Sequence, residues 1–309
     1  MIDVKPGFAR PGPDSRRESE IAALQARLME HVHVLGGEIG ERHLGRPQAL
    51  QAASDYMRDV WTRQGWSVSA ERFEVGGQAV ANLTVEQRGS ERPEEIVVIG
   101  AHYDTAPGTP GANDNGTGVA LLLEISRAFK DARLPRTLRY VAFVNEEPPY
   151  FFSEHMGSRV HARGARRRGE NIVAMVSLET LGYYTSEDGT QRYPFPFGFF
   201  YPRTGNFLAV VGNLRSRDLV VDFLKHFMAA SDFPVEGAAT FEWIPGINWS
   251  DHWSFWKEGY RALMLTDTAP FRYPHYHGAH DLPDQVVATE FARAAHGIMA
   301  AVRGLATNP

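Results

Sequence analysis

Five short apolar runs, each closing on polar residues, constrain the fold of this chain most. They cover residues 96–99, 138–144, 171–178, 207–212 and 262–266. Runs of this length without polar alternation suit strands covered on both faces. Stretches with helical spacing separate them. In 116–130 the residues Val119, Leu122, Leu123, Ile125 and Phe129 share one face, and 216–230 and 288–305 read the same way. A further helix is expected to start near Ser153. Upstream, Ile21, Leu24, Leu28 and Val32 recur at helical spacing from Ser19. A second helix over 47–64 carries Leu50, Ala53, Tyr56, Met57 and Val60 and stops at Gly65. Residues 68–75 and 80–87 alternate like antiparallel strands. Strands alternating with helices predict an α/β fold with a mixed, mostly parallel sheet sandwiched by helices. No linker, repeat or low-complexity tract divides the chain. The expected organisation is a flexible arm over 1–17 and a single domain over 18–309. Residues 183–205 stand apart: they are rich in Tyr, Phe, Pro and Gly, show no period, and form the kind of long irregular segment that often carries function.

Composition narrows the chemistry. The chain has no cysteine, so thiol nucleophiles, thiolate metal sites and disulfide scaffolds are excluded. Any metal must sit on His, Asp and Glu. A net charge of −5 with 22% charged residues gives no basic footprint for nucleic acid, and Arg166-Arg167-Arg168 reads as a solvated face. No stretch reaches the ~18 apolar residues of a membrane span. Residues 1–17 have no apolar core of the signal-peptide kind. A soluble protein is expected, with its compartment open.

The polar residues that close the apolar runs are of metal-binding type. The first run leads to His102-Tyr103-Asp104, and Asn113-Asp114-Asn115-Gly116 stands just before a helix. The second leads to Asn145-Glu146-Glu147, the third to Glu179, and the last to Asp267, with His277 ten residues on. In open α/β sheets the ligand crevice lies outside the carboxyl ends of the strands, so these groups should converge. Imidazole and carboxylate donors suit catalytic zinc, with manganese or cobalt as substitutes. Two histidines and three carboxylates suffice for two ions if one carboxylate bridges.

Six short strings in order carry a resemblance: His102-Tyr103-Asp104, Gly111 to Gly118, Asn145-Glu146-Glu147, Ser177-Leu178-Glu179, Ser250-Asp251-His252, and Tyr276-His277 with Asp281 four residues on. Together they resemble the M28 family of zinc peptidases over about residues 80–285. The resemblance implies a sheet of about eight strands in the phosphorylase/hydrolase-like architecture of zinc aminopeptidases. It implies two Zn2+ ions and a peptide substrate. It implies that Asp114 bridges the ions, that His102 and Glu179 complete one site and Glu147 and His277 the other, and that Glu146 is the general base. Asp104 would hold the ring of His102. A cis peptide would follow Asp114.

Some assignments stay open at this level. His275 and His280 flank His277 as alternative ligands. Asp281 either pairs with His277 or caps a turn. Asp251 either caps a helix from Trp253 or stands with His252 near the substrate. Glu146 and Glu147 are adjacent, and both can face the site only if the strand has ended there, as Pro148-Pro149 suggests. The family's Gly-Ser pair follows its Glu pair closely, whereas here residues 148–156 intervene before Gly157-Ser158. That insertion and the 183–205 segment are expected to shape the specificity pocket, with an apolar preference if 183–205 lines it. The leading function is an exopeptidase, most simply an aminopeptidase. A single-zinc glutaminyl cyclase and a non-catalytic binding domain are the alternatives. Oligomeric state is not legible.

Overall fold

The computed structural model describes residues 15–308. Eight strands are formed: β1 (Ser69–Val75), β2 (Gln78–Gln87), β3 (Arg92–His102), β4 (Arg136–Phe143), β5 (Asn171–Glu179), β6 (Leu208–Asn213), β7 (Val235–Thr240) and β8 (Ala262–Thr266). They make one sheet in the order β1-β2-β4-β3-β5-β8-β6-β7. The central strands β4, β3, β5 and β8 run parallel, as does the β6–β7 pair. β1–β2, β2–β4 and β6–β8 are antiparallel. The helices are α1 (Ser15–Val32), α2 (Pro47–Arg63), α3 (Gly118–Phe129), α4 (Gly157–Arg167), α5 (Arg217–Ala230), α6 (His252–Lys257), α7 (Ala269–Arg272) and α8 (Ala288–Thr307). Of the expected arm, residues 1–14 lie outside the described residues, and 15–17 are the first turn of α1. The helix expected near Ser153 starts at Gly157, because turns occupy the stretch before it.

The apolar runs are strands for the reason given. On β3, Val97, Ile99 and Ala101 enter one core while Ile96 and Val98 enter a second on the other face. Both faces are covered, so polar alternation disappears. Helices α1, α3, α5 and α8 close the first face; α4 and α6 pack on each other against the second. Strand β3 lies between β4 and β5, so the chain turns to opposite sides after β3 and β4. This switch point opens a crevice at the strands' carboxyl ends.

One buried ion cluster fixes α3, the helix that follows the Asp114 loop. The Glu124 carboxylate, 1% exposed, accepts from Arg27 Nε at 2.7 Å and Arg127 Nε at 2.9 Å, tying α3 to α1. Burial alone would raise its pKa, but hydrogen bonds from His31 and Arg27 and the Arg127 charge bring it down to about 2. A depressed folded pKa contributes stability that is complete above the unfolded value of 4.5 and disappears as pH falls toward 2. Glu124→Gln is expected to cost about 2–3 kcal/mol at pH 7. Denaturant melts at pH 7 and pH 3 should show the difference between variant and wild type shrinking at the lower pH.

Candidate active site and metal centre

Five segments deliver the site: the ends of β3, β4 and β5, the turn that holds Asp114 and the loop that carries His277. His102 is the last residue of β3 and Glu179 the last of β5. Strand β4 ends at Phe143, and Asn145 takes a left-handed φ of 59°, so Glu146 and Glu147 escape strand alternation and both face the crevice. Thr180, at φ 43°, follows Glu179, and His277 itself sits at φ 54°. Non-glycine residues in this region cost of order 1–3 kcal/mol and gather where function needs an awkward turn. The Asp114–Asn115 peptide is cis, as the resemblance implied.

The polar atoms converge in two sets. His102 Nε2 lies 3.5 Å from Asp114 Oδ1 and 3.2 Å from Glu179 Oε2. His277 Nε2 lies 3.2 Å from Asp114 Oδ2 and 3.3 Å from Glu147 Oε2. The two oxygens of Asp114 thus face different histidines, and each histidine faces one further carboxylate. Tetrahedral zinc with ligands roughly 2.0–2.1 Å away sets neighbouring ligand atoms about 3.3 Å apart, which matches these separations. His102 Nε2, Asp114 Oδ1 and Glu147 Oε1 are buried and make no hydrogen bond. Buried polar atoms of that kind call for a partner, and a cation fits every one of them. Glu146 Oε2 is 3.8 Å from His102 Nε2, the longest of these contacts, yet His102, Glu146 and Glu179 also converge closely enough to hold an ion, as do His102, Asp114 and Glu147. The alternatives His275 and His280 stack edge-on with each other instead, and among the described residues neither pairs with a carboxylate as His277 does.

Carboxylates packed this closely need positive charge among them. Burial pushes the Glu146 carboxyl well above its ordinary range, reinforced by Glu147 and Glu179. Burial and Asp114 raise Glu147 to about 7. Burial would lower His277, but bonding to Asp114 and Glu147 lifts it to about 10. A divalent ion answers the same demand for charge.

The supporting residues differ in part from the sequence reading. Asp104 was expected to hold the His102 ring. It does so mainly through its main-chain carbonyl, 3.2 Å from the ring's Nδ1, with Oδ1 at 3.7 Å. The Asp104 carboxylate accepts the amides of Glu146 at 3.0 Å and Glu147 at 3.1 Å. Of the two readings of Asp281, the structure shows the cap: it makes no pair with His277 and closes the start of the turn over Ala112–Thr117. Its carboxylate takes the amides of Asn113 at 2.9 Å and Asp114 at 3.0 Å, and the hydroxyl of Tyr273. Asp251 precedes α6 but makes no capping bond; its carboxylate is fully buried, where burial raises it to about 7. His252 is also buried. Its Nε2 bonds Ile247 O at 2.8 Å, and burial lowers its pKa to about 4, so it fastens the turn around Ile247 as a neutral ring and reaches no substrate surface.

Three supports went unread in the sequence. Ser250 Oγ donates to Glu179 Oε2 at 2.7 Å. Asn115 bonds the Leu178 carbonyl and the Thr180 amide, joining the Asp114 loop to β5. Arg42 is fully buried and donates only to main-chain carbonyls: Tyr103, Leu35, Gly40, Pro110 and Gly111, at 2.7–3.1 Å. Gly111 has φ 67°, and a Cβ there would lie 2.5 Å from Asp114 O and 2.2 Å from Thr105 Cγ2, so glycine is required where Arg42 grips. Ser250 and Asn115 stood inside the motif strings. Arg42, between Glu41 and His43, looks like any exposed charged turn.

Comparison with known proteins agrees with this geometry. The model of peptidase family M28 matches residues 82–302. The chain belongs to peptidase family M28. Among similar proteins, the uncharacterized protein YfbL of Escherichia coli is 32% identical over 302 residues, covering 94% of this chain and 92% of that one. Other relatives, called probable zinc metalloproteases or, in Bacillus subtilis, aminopeptidase YwaD, are matched over half of their own length or less. The fold is that of BSAP, a zinc aminopeptidase from Bacillus subtilis (TM-score 0.70, 14% identity, 92% of this chain and 95% of that one). It is also that of a Fimbriiglobus ruber glutaminyl cyclase (TM-score 0.64, 18% identity, 98% and 99%). This M28 chain is a zinc peptidase by family, with an α/β fold of one mixed eight-stranded sheet. No described helix is long and apolar enough to cross a membrane.

Proposed function

We propose that this M28 peptidase is a two-zinc aminopeptidase. His102 and Glu179 would hold one ion, Glu147 and His277 the other, with Asp114 between them and Glu146 as general base. The division of the Asp114 carboxylate between two imidazoles, Oδ1 toward His102 and Oδ2 toward His277, carries this reading. A single-ion site has no use for both sets.

The crevice supports action at the amino end. Asp114, Glu146, Glu147, Glu179 and His277 line it, with Trp249 and Tyr276 as walls, and neither it nor the adjoining apolar pocket has a lysine or arginine in its lining. The lining thus offers no lysine or arginine clamp for a peptide's terminal carboxylate, whereas an α-amine meets carboxylate acceptors. Bound zinc supplies Lewis acidity, lowering the pKa of water and drawing electrons from a carbonyl oxygen. Glu146 takes the proton of the attacking water and returns it to the departing amine nitrogen. The C–O bond forms and the peptide C–N bond breaks. Pro148 and Phe151 of the 148–156 insertion also border the crevice.

Metal analysis is expected to find two zinc ions per chain. Dialysis against a chelator should abolish cleavage of aminoacyl-p-nitroanilides, and zinc, manganese or cobalt should restore it. One zinc with cyclisation of an N-terminal glutaminyl peptide would replace this reading with the cyclase. A chain that binds no zinc would point to a binding domain.

A further inference from the structure

An apolar cavity of about 100 Å3 adjoins the metal centre and shares Glu179, Trp249 and Tyr276 with its crevice. Tyr193, Phe197, Tyr201, Phe207, Trp249 and Phe271 wall it, so the 183–205 segment does line the pocket. Two of the lining residues are acidic. Glu179 belongs to the metal centre; Glu236, on edge strand β7, does not.

The strand register relates them. Glu179 pairs with Thr266, Thr266 with Ala209, and Ala209 with Glu236. These four residues form one row across the sheet, on the face that carries Met264, Ala209 and Val211 in the second core. Three strand spacings, about 14 Å, separate the backbone at the metal centre from the backbone of Glu236. No hydrogen bond or ion pair is made by the Glu236 side chain among the described residues, and its half-buried position raises its pKa. The hydroxyl of Tyr201 donates to the neighbouring Gly237 carbonyl at 2.9 Å, and the rings of Tyr193 and Tyr201 lie 5.8 Å apart beside it.

A pocket for leucine has no use for a carboxylate at its far end, because an unpaired acid in an apolar wall is costly. A long basic side chain suits all of these features. Its methylenes lie against apolar walls, its cation meets aromatic faces, and its head reaches an acid that lacks a partner. Resting on the aminopeptidase reading, we infer that this pocket selects an N-terminal arginine or lysine, with Glu236 as the specificity-determining residue. The α-amine stays at the metal centre and the side chain runs along the row from Glu179 to Glu236.

The test compares arginyl-, lysyl-, leucyl- and phenylalanyl-p-nitroanilides on the zinc-loaded wild type and on Glu236→Gln, with binding of argininamide and leucinamide measured by calorimetry. The expected wild type favours arginine and lysine over leucine in kcat/KM by about tenfold or more. Glu236→Gln should lose that preference while leucine cleavage stays within about twofold. A wild-type preference for leucine or phenylalanine, or an equal loss on all four substrates, would overturn the inference. Absence of all cleavage would count against the aminopeptidase reading, and the pocket would then be judged by calorimetry. Tighter binding of argininamide that vanishes in Glu236→Gln upholds the subsite; equal binding of the two amides overturns it.

Discussion

Replacing Glu146 with glutamine is expected to leave both zinc ions bound and to lower kcat by a factor of about 10²–10⁴. The proposed ligand sets do not use it: each histidine already faces Asp114 and one more carboxylate. Glutamine keeps the shape of the side chain and the main-chain amide still reaches Asp104, so the turn should persist. Only the capacity to take a proton is lost. KM should change little, because the variant removes an interaction that matters in the transition state alone. Metal analysis beside steady-state kinetics reads both halves. A variant that turns over at the wild-type rate would remove Glu146 from the mechanism, and one that loses zinc would make it a ligand.

The second large effect lies away from the crevice. Arg42→Met should destabilise the protein by about 3–5 kcal/mol, the range for removing one member of a buried charged network. The loss should lower the melting midpoint by about 10 °C. Five carbonyls would lose this donor. Leu35 and Gly111 keep main-chain donors from Gly40 and Gly116, and Tyr103, Gly40 and Pro110, the last at the head of the Asp114 loop, depend on it. Burial lowers the Arg42 pKa only to about 10, with Asp281, Asp104, Asp114 and Glu147 supporting its charge, so all the donors are present at neutral pH. Arg42→Lys should recover little, since three donors on a point charge cannot serve five carbonyls. Calorimetric melting together with zinc content checks this, and a midpoint within about 1 °C of wild type would refute it. Residue 42 precedes the family match, which begins at residue 82. A fragment cut to that match would lack this clamp.

What could be read from the sequence followed from burial. Strands β3, β4, β5, β6 and β8 are covered on both faces and announced themselves as apolar runs. Strand β7 did not, because Val235–Thr240 is a sheet edge made of small residues and one acid, and its pairing with β6 has no local signature. The side chains gathered at the centre were legible because the strand ends carry imidazole or carboxylate groups in order. The partners of the residues that hold the centre in shape were not. Asp104 and Asp281 stood in the motif strings, but both take main-chain amides, and any nearby amide serves such an acceptor, so spacing leaves no trace of which. His252 looked like a site residue for the opposite reason: its motif was visible, but its complete burial was not.

The source of the pocket walls has one more consequence. Asp104 clamps the amides of Glu146 and Glu147, and Asp281 those of Asn113 and Asp114, so the spacing of these side chains is set by the main chain. Most of the selective surface comes from elsewhere, although Glu179 and Tyr276 belong to both pocket and crevice: the loop through Gln191 and Tyr201, the turn through Pro245 and Trp249, and the edge strand. Selectivity and chemistry are therefore largely separate modules on one frame. A lineage with this frame could exchange its outer loops and acquire a new diet of peptides while its hydrolytic machinery stayed as inherited.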